Sequence, residues 1–248
     1  TSGAPSSGAA SSADCRLVAC ADIDAQRAAG LARSVPGCEA VADWRSAVAR
    51  KDVDIVIVAT IHDALAEVCL EAVRAGKHVL LKKPGARRAA ELDAAREVAA
   101  RNNLRVHVGF NHRYHPDIRK AKQLVDSGVC GDLMFIRGRY GHGGRPGYDK
   151  EWRAVPEKSG GGELLDQGSH LIDLARMFLG DFTSVQGAVQ TYFWNMPVED
   201  NGFMLLQTAS KQTAFLHASW TEWKNLFSFE IYGRDRKSTR LNSSHRIR

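Results

Sequence analysis

Two side chains suited to proton transfer, Asp166 and His170, stand four residues apart near the start of a predicted helix. An imidazole titrates near neutral pH without further tuning, which suits a group that takes a proton from a hydroxyl. The spacing can place both side chains on one helix face, where the carboxylate can orient the imidazole. Each residue also has a plain structural interpretation, since His170 follows the apolar pattern of a core helix and Asp166 could cap it. The two residues alone leave both interpretations open.

Further candidates follow predicted strands in the first half of the chain: Asp22, Thr60 and Lys82-Lys83. Ligands of open α/β sheets bind beyond the carboxyl ends of the strands. A carboxylate such as Asp22 can hold the ribose hydroxyls of a dinucleotide and repel a 2′-phosphate, which favours NAD over NADP. It could equally be a solvated loop residue. The glycine loop expected about 20 residues upstream is not recognisable, so the predicted dinucleotide-binding domain is incomplete at its N-terminus.

The first half of the sequence alternates between strand-like and helix-like segments. The predicted strands are Arg16–Ala21, Val53–Ala59, His78–Leu81 and Leu104–Phe110. The predicted helices are Ile23–Arg33, a segment from Asp63 to Gly76, and Ala89–Arg101. The β-branched run VDIVIVA is typical of a strand that is buried on both faces of a parallel sheet. Single helices between the strands predict βαβ units and a doubly wound, Rossmann-type α/β sheet.

The second half changes character after about residue 114. Pro116 begins a predicted helix, Leu133–Tyr140 is a predicted strand, and Gly168–Leu179 is a further helix. Four strands follow, near residues 184–194, 202–209, 213–221 and 226–232, and their short turns predict an antiparallel meander. We therefore expect an incomplete dinucleotide-binding domain over residues 14–114 and an α+β domain with a large, mainly antiparallel sheet over residues 115–235.

Composition and charge exclude several classes of protein. The 248 residues are 44% hydrophobic and 25% charged, and no apolar run approaches the roughly 18 residues of a membrane span. The net charge of +6 does not predict a nucleic-acid-binding surface, because residues 236–248 hold five of the positive charges and no acidic residue. The five cysteines form no C-x-x-C pair, so neither a metal site nor a disulfide framework is predicted. A reduced, cytoplasmic location is expected.

Both ends of the sequence differ from the rest. Eleven of residues 1–13 are Ser, Ala or Gly, and residues 236–248 lack apolar periodicity. We expect both ends to be disordered or non-native, and the remainder to be part of a longer protein that is truncated at both ends.

Four motifs follow one another along the chain: AGKHVLLKKP at 75–84, GFNHRYHP at 109–116, GGGELLDQGSHLIDLARMFLG at 160–180 and VEDNGFMLLQT at 198–208. In this order and spacing they resemble the motifs of the Gfo/Idh/MocA family of sugar and inositol dehydrogenases. The resemblance covers about residues 16–235. Lys82 departs from the family pattern, because it stands where the family usually has Glu.

The resemblance implies a Rossmann-type domain, NAD or NADP as the cofactor, and hydride transfer between the nicotinamide and a ring hydroxyl of a sugar or polyol. By motif position, Lys83, Asp166 and His170 are the implied catalytic residues. Lys83 could stabilise the negative charge that develops on the substrate hydroxyl. A homo-oligomer is also implied, because one face of the C-terminal sheet commonly mediates association in the family.

Contacts to the two ligands are assigned to strand ends and connecting loops. The expected cofactor contacts are Asp22, Thr60, Lys83 and Asn111. The expected substrate contacts are Asn111, Tyr148, Trp152, Arg153 and His170. Trp and Tyr rings can cover the apolar face of a sugar, but Trp152 could instead anchor its loop and Arg153 could pair with Glu151 or Glu157.

The competing hypothesis is an inactive fragment. Without a phosphate loop, the chain would lack the backbone amides that bind a pyrophosphate. Only a sheet that mediates association would then remain.

Overall fold

The computed structural model describes residues 14–235 and the backbone of Thr239–Asn242. The chain divides into two compact units, the first ending at Gly109 and the second beginning at Phe110. This division falls five residues before the expected boundary near residue 114. The reason is that the short 3-10 helix Asn111–Tyr114 packs against a helix of the second unit. Residues 1–13, 236–238 and 243–248, which include most of the ends expected to be non-native, lie outside the described residues.

The first unit is built from parallel strands and intervening helices. Its strands are β1 (Ala19–Ala21), β2 (Glu39–Val41), β3 (Ile55–Val58), β4 (His78–Lys82) and β5 (Val106–Gly109). Its helices are α1 (Ala25–Ser34), α2 (Trp44–Val48), α3 (His62–Arg74) and α4 (Asp93–Arg101). β1 pairs with β2, and β3, β4 and β5 pair in that order, with every pair parallel. The predicted Rossmann-type arrangement is confirmed.

The two faces of the β3-β4-β5 sheet differ in burial. Val58, Val79 and Leu81 are buried in one core with apolar residues of α3 and α4. Ile55 and Ile57 on the opposite face are 53% and 42% exposed. The expectation that β3 is buried on both faces is therefore wrong for the described residues, because helices cover only the valine face.

Some boundaries in the first unit also differ from the expected ones. β2 and α2 were not predicted, because three and five residues are too few to show a period. α3 begins at His62 rather than after Asp63, and its N-cap residue is Ile61. The helix expected over Ala89–Arg101 begins as a 3-10 turn, Ala89–Leu92.

The second unit is a six-stranded sheet with helices against one face. Its strands are β6 (Leu133–Gly141), β7 (Phe182–Gln190), β8 (Asn201–Thr208), β9 (Thr213–Ser219), β10 (Leu226–Gly233) and β11 (Thr239–Asn242). Its helices are α5 (Pro116–Asp126), α6 (Pro156–Ser159) and α7 (Ser169–Leu179), and a π-helical turn, Leu164–Gly168, leads into α7. The core joins α5 and α7 to the sheet through residues such as Ile118, Leu174, Leu216 and Phe229.

The sheet order is β11-β10-β6-β9-β8-β7, and only the β6–β9 pair is parallel. The mainly antiparallel sheet is confirmed, but the four-stranded meander is wrong at its last step, because β10 pairs with β6 and not with β9. Gly138 of β6 explains part of this order. A Cβ at Gly138 would lie 2.9 Å from Leu216 of β9 and 3.3 Å from Phe229 of β10, so glycine lets both side chains close over the strand.

β11 corrects the expectation for the C-terminal segment. Thr239–Asn242 pairs antiparallel with β10, from Thr239 opposite Ile231 to Asn242 opposite Ser228. The outer edge of β10 offers backbone donors and acceptors that any extended segment can use, whatever its side-chain pattern. Absence of apolar periodicity therefore did not predict absence of structure here. No helix in the described part of the chain has the length and apolar character needed to cross a membrane.

Candidate active site

The glycine-rich segment before α7 is fixed by Glu199, which precedes β8. Its Oε1 atom accepts hydrogen bonds from the backbone N–H groups of Gly162 (3.0 Å) and Leu164 (3.2 Å), and its carbonyl accepts from the N–H of Glu163 (3.0 Å). A Cβ on Gly162 would lie 1.9 Å from the Glu199 carbonyl oxygen, so only glycine permits this approach. Glu199 therefore satisfies three N–H groups at the start of the helical segment and sets its direction.

His170 lies in the first turn of α7 and is 5% exposed. Its ring stacks on His112, with centroids 4.0 Å apart and planes inclined by 19°. Phe110 and Tyr140 contact the same ring edge-on, at centroid distances of 5.9 and 6.1 Å. The imidazole is thus held in place by rings from the 3-10 helix region and from β6.

An ion pair ties α7 to the segment that carries His112. Arg113 donates from Nε and Nη2 to the two carboxylate oxygens of Asp173, at 2.6 and 2.5 Å. The hydrogen bonds to this carboxylate raise the pKa of Arg113 above its usual value, so the guanidinium stays charged. Such a bidentate pair fixes both distance and orientation, so it holds His112 opposite His170.

Asp166 belongs to a row of alternating charges. Arg153 Nε donates to Asp166 Oδ2 at 3.1 Å, and the two side chains are only 21% and 13% exposed. Glu151 lies 3.5 Å from Arg153 and also pairs with Arg145. The pairing of Arg153 with Glu151 is one of the alternatives that the sequence left open. Because removal of either partner of a buried pair is costly, this row fixes the position of the Asp166 carboxylate.

Tyr148 is placed differently from the expectation of a ring that lies against a sugar. It is 3% exposed and packs edge-on against Trp220 and His142, at centroid distances of 5.1 and 5.5 Å. Burial is the main reason that its pKa is raised far above the usual range, so the phenol stays neutral. Tyr148 therefore supports the loop after β6. Trp152, four residues later in the sequence, has the Arg153 guanidinium 4.6 Å from its ring centroid.

A cavity of about 170 Å³ lies in the second unit, next to the stacked histidines. Its polar lining residues are His112, His115, Tyr140, His142, Gln167 and Asn225, and its apolar ones are Ile118, Leu226 and Phe227. Burial lowers the pKa of His142, and its Nδ1 accepts a hydrogen bond from the Gly144 N–H at 2.9 Å. Burial also raises the pKa of Tyr140, which keeps its hydroxyl proton. The lining thus combines hydrogen-bonding groups, of which Tyr140 and His142 are neutral, with an apolar wall.

The first unit places its candidate residues at the carboxyl ends of parallel strands. Asp22 follows β1, and its Oδ1 accepts from the Asp24 N–H at 2.9 Å. Thr60 follows β3 and is exposed, and Lys83 follows β4. Asn111, after the end of β5, is the first residue of the 3-10 helix of the second unit and is exposed. A half-exposed carboxylate at the end of β1 fits the hydroxyls of a ribose.

Asp200 was missed as a supporting residue of this region, although it lies in the motif VEDNGFMLLQT. It is fully buried and accepts hydrogen bonds from the backbone N–H groups of Tyr192 (2.9 Å), Phe193 (2.8 Å) and Trp194 (3.0 Å). Burial alone would raise the pKa of Asp200, but the hydrogen bonds from Asn201 and these three amides outweigh it and hold the pKa below its usual value. The tied loop lets Trp194 donate to the Trp220 carbonyl at 3.0 Å, which closes the aromatic cluster around Tyr148.

His112, Tyr140 and Glu199 were also missed. His112 lies inside GFNHRYHP. The residues around it show no pattern that predicts a contact between His112 and His170. Tyr140 and Glu199 read as ordinary strand and loop positions. Among residues 14–235, no group of three or more His, Cys, Asp or Glu side chains is arranged to hold a metal ion.

Family models match both units. A model described as an oxidoreductase family with an NAD-binding Rossmann fold matches residues 5–110, and a model of the GFO/IDH/MocA C-terminal domain matches residues 118–237. The chain belongs to the Gfo/Idh/MocA family. The resemblance of the four motifs is confirmed, as is the expectation of an NAD-binding domain.

Individual members of the family are also similar to this chain. Levoglucosan dehydrogenase from Pseudarthrobacter phenanthrenivorans is 31% identical over 190 residues, which is 76% of this chain and 49% of that protein. A solved levoglucosan dehydrogenase in complex with NADH and levoglucosan superposes with a TM-score of 0.84 at 28% identity, over 90% of this chain and 63% of that one. A putative myo-inositol dehydrogenase from Sinorhizobium meliloti 1021 has a TM-score of 0.85 at 25% identity, over 96% and 72% of the two chains. The chain thus spans about half of the curated levoglucosan dehydrogenase.

Proposed function

We propose that the protein to which this chain belongs is an NAD-dependent dehydrogenase that oxidises a ring hydroxyl of a sugar, an inositol or a sugar derivative. One observation carries the proposal: His170, in the family's motif position, is fixed by stacked and edge-on rings beside a cavity with hydrogen-bonding and apolar walls. A pyranose or cyclitol presents hydroxyls at its rim and C–H groups on its faces, and this lining suits both.

In this proposal, His170 takes the proton of the reacting hydroxyl on a ring nitrogen. When bound, NAD supplies the acceptor for the hydride that leaves the same carbon. Asp166, held by Arg153, favours the protonated imidazole that results, because a nearby carboxylate stabilises it. Lys83 stabilises the negative charge on the reacting oxygen, a role that rests on its motif position.

Asp22 supports NAD rather than NADP. Its carboxylate follows β1, and one of its oxygens accepts from the Asp24 amide, which orients the group. A carboxylate there accepts from ribose hydroxyls and repels a 2′-phosphate. Thr60, Lys83 and Asn111, which also follow strands, are the other proposed cofactor contacts.

The reaction class has a direct test. The chain is incubated with NAD and with levoglucosan or myo-inositol that carries deuterium on the carbinol carbons. Formation of NADH with deuterium on the nicotinamide ring, seen by mass spectrometry, is the expected result. If no substrate of either type yields NADH, and NADH does not change the protein fluorescence on titration, the proposal fails.

A homo-oligomer is proposed through the open face of the second unit's sheet. Leu205 and Phe215 on this face are 43% and 47% exposed, and Phe203 stacks on His217 beside them, with ring centroids 4.3 Å apart. Adjacent exposed apolar residues on a flat sheet suit a second copy of the chain. Sedimentation of the wild type against Phe215→Glu tests this: the wild type is expected to be an oligomer and the variant a monomer. A monomeric wild type at micromolar concentration would contradict it.

The cytoplasm is the proposed location. All five cysteines of the chain are free thiols in the structure, which suits a reducing compartment. Burial raises the pKa of the Cys69 thiol to about 11, so this group stays protonated and unreactive.

A further inference from the structure

The stacked contact between His112 and His170 has a consequence for where protons reside. The rings are nearly parallel and 4.0 Å apart, and they come from different elements that the Arg113–Asp173 pair holds together. Two imidazolium rings at this distance repel each other, whereas one imidazolium can lie on a neutral imidazole. The two rings are therefore expected to titrate as a coupled pair, in two steps that are separated by more than about one pH unit.

The two rings differ in burial. His170 is 5% exposed, whereas His112 is half-buried and has the ring of His115 edge-on at 5.1 Å. Burial disfavours the charged form of an imidazole, so the more exposed ring takes the first proton. That ring is His112.

We propose that His112 is a positioning residue that keeps His170 unprotonated: near neutral pH the stacked pair holds at most one proton, and His112 holds it. The inference rests on the proposed function of His170 as the base. It adds a residue outside the implied catalytic set and a reason why a nearly buried histidine beside carboxylates stays available as a base.

Two carboxylates near the pair each face a guanidinium. Asp166, in the turn before α7, faces the guanidinium of Arg153, and Asp173 of α7 faces that of Arg113. Each carboxylate thus has a guanidinium partner, which weakens its effect on the imidazoles without removing it.

Further titratable groups lie in β6, just after it, and in the turn before α7. Tyr140 of β6 and His142, the second residue after Tyr140, stay neutral, because burial raises the pKa of Tyr140 and lowers that of His142. Glu163 is fully buried near Tyr140, and its carboxyl group is a further cause of the raised pKa of Tyr140.

The pairing also affects the step after proton transfer. When the substrate O–H bond breaks and His170 gains the proton, the pair holds one more positive charge than before. If His112 is already protonated, repulsion then favours release of the new proton from His170. The same contact that keeps the base ready thus speeds its return to the neutral form.

The test is a titration of the histidines in the whole chain by NMR. The ring signals are assigned with variants in which one histidine at a time is replaced. In the wild type, the His112 and His170 signals are each expected to follow two steps. One simple step for each ring would overturn the proposal without the need for any variant.

His112→Phe provides the second arm, because phenylalanine keeps an aromatic ring against His170 and removes the titrating partner. The midpoint of His170 is expected to rise by about one pH unit. His115→Phe is the matched control, since His115 contacts the far ring of the pair, and its effect on His170 is expected to be smaller. An unchanged His170 midpoint in folded His112→Phe would contradict the proposal.

These measurements separate this inference from the proposed function. Coupled titration without any dehydrogenase activity would leave the inference intact and refute the function. Activity whose acid limb in kcat/KM is the same in the wild type and in His112→Phe would support the function and refute the inference.

Discussion

The two units of the chain position their functional groups by different means. In the first unit, Asp22, Thr60 and Lys83 each follow a parallel strand, and the backbone of that strand sets the position. In the second unit, Asp166 and His170 depend on side chains that are distant in sequence, such as Arg113, which lies 60 residues from its partner Asp173. A substitution in the first unit should therefore change one contact with a ligand. A substitution in the second should also disturb the neighbours that hold the site.

The largest effect is expected at the centre of the second unit's network. His170→Ala should lower kcat by about 10²–10⁴-fold, the usual contribution of a positioned proton-transfer group. NADH binding, followed by fluorescence titration, should change little. The control is His107→Ala, because His107 is an exposed histidine on β5 of the first unit. Near-normal turnover of His170→Ala would show that His170 is a core residue. Lys83 or Asp166 would then be the group that accepts the proton.

Substitution of Asp200 tests the same contrast between the two units through the free energy of unfolding. Asp200→Ala leaves three backbone N–H groups of a buried loop without their acceptor, and it should lower the free energy of unfolding by about 3 kcal/mol. Asp22→Ala removes a single amide contact in the first unit and should cost well under 1 kcal/mol. Urea unfolding measures both, and equal losses would contradict the comparison.

Asp200 also gives the second unit an acid dependence. Its pKa in the folded chain lies below 3.8, so its stabilisation is fully present above that value and is lost as the pH falls through the lower folded value. Asp200→Asn should therefore lose less stability than the wild type as the pH falls below about 4. A parallel pH dependence of the two proteins would show that another group is responsible.

Arg153 should matter through Asp166. Arg153→Met removes the half-buried cation beside the carboxylate and should lower kcat by about tenfold, equivalent to about 1.4 kcal/mol. Arg153→Lys should restore part of the loss, because it returns the charge without the fork geometry. Arg176→Met is the control, since Arg176 of α7 pairs with Asp181 at an exposed site near the end of that helix. An increase in KM with an unchanged kcat would instead assign Arg153 to substrate binding.

The smallest effect is expected at a strand end of the first unit. Asp22→Ser should reduce the preference for NAD over NADP in kcat/KM by up to about tenfold, because it removes the carboxylate that repels a 2′-phosphate. The stability and the pH profile should not change. Asp52→Ser, at an exposed carboxylate that pairs with Arg50, is the control. An unchanged cofactor preference in Asp22→Ser would remove Asp22 from the cofactor site.

The contrast between the units also explains what could be predicted from the sequence. Strand ends such as Asp22 and Lys83 are visible because β-branched and apolar runs reveal strands, and chain order then gives the parallel arrangement. The short elements β2 and α2 were not visible, because they are shorter than the periods that would show them.

Pairings between segments that are distant in the chain were harder to predict from the sequence. Nothing in the sequence of β10 states that it lies beside β6 rather than β9, because both neighbours would offer it apolar partners. For the same reason the stacking of His112 on His170, the clamp by Glu199 and the buried position of Tyr148 were not predicted. Each depends on which segments the sheet brings together, and local pattern carries no record of that.

The place of β6 between β9 and β10 has a consequence for the order of folding. β6 begins at Leu133, yet Phe135 pairs with Thr213 on one side and with Tyr232 on the other. Contacts that close such long loops form slowly, whereas the strands and helices of the first unit meet near neighbours in the chain. During synthesis α7 therefore leaves the ribosome after β6 but before β9 and β10, which complete the sheet that it packs on. Part of its apolar surface stays exposed until those strands have been made, which marks this stage as the one most vulnerable to aggregation.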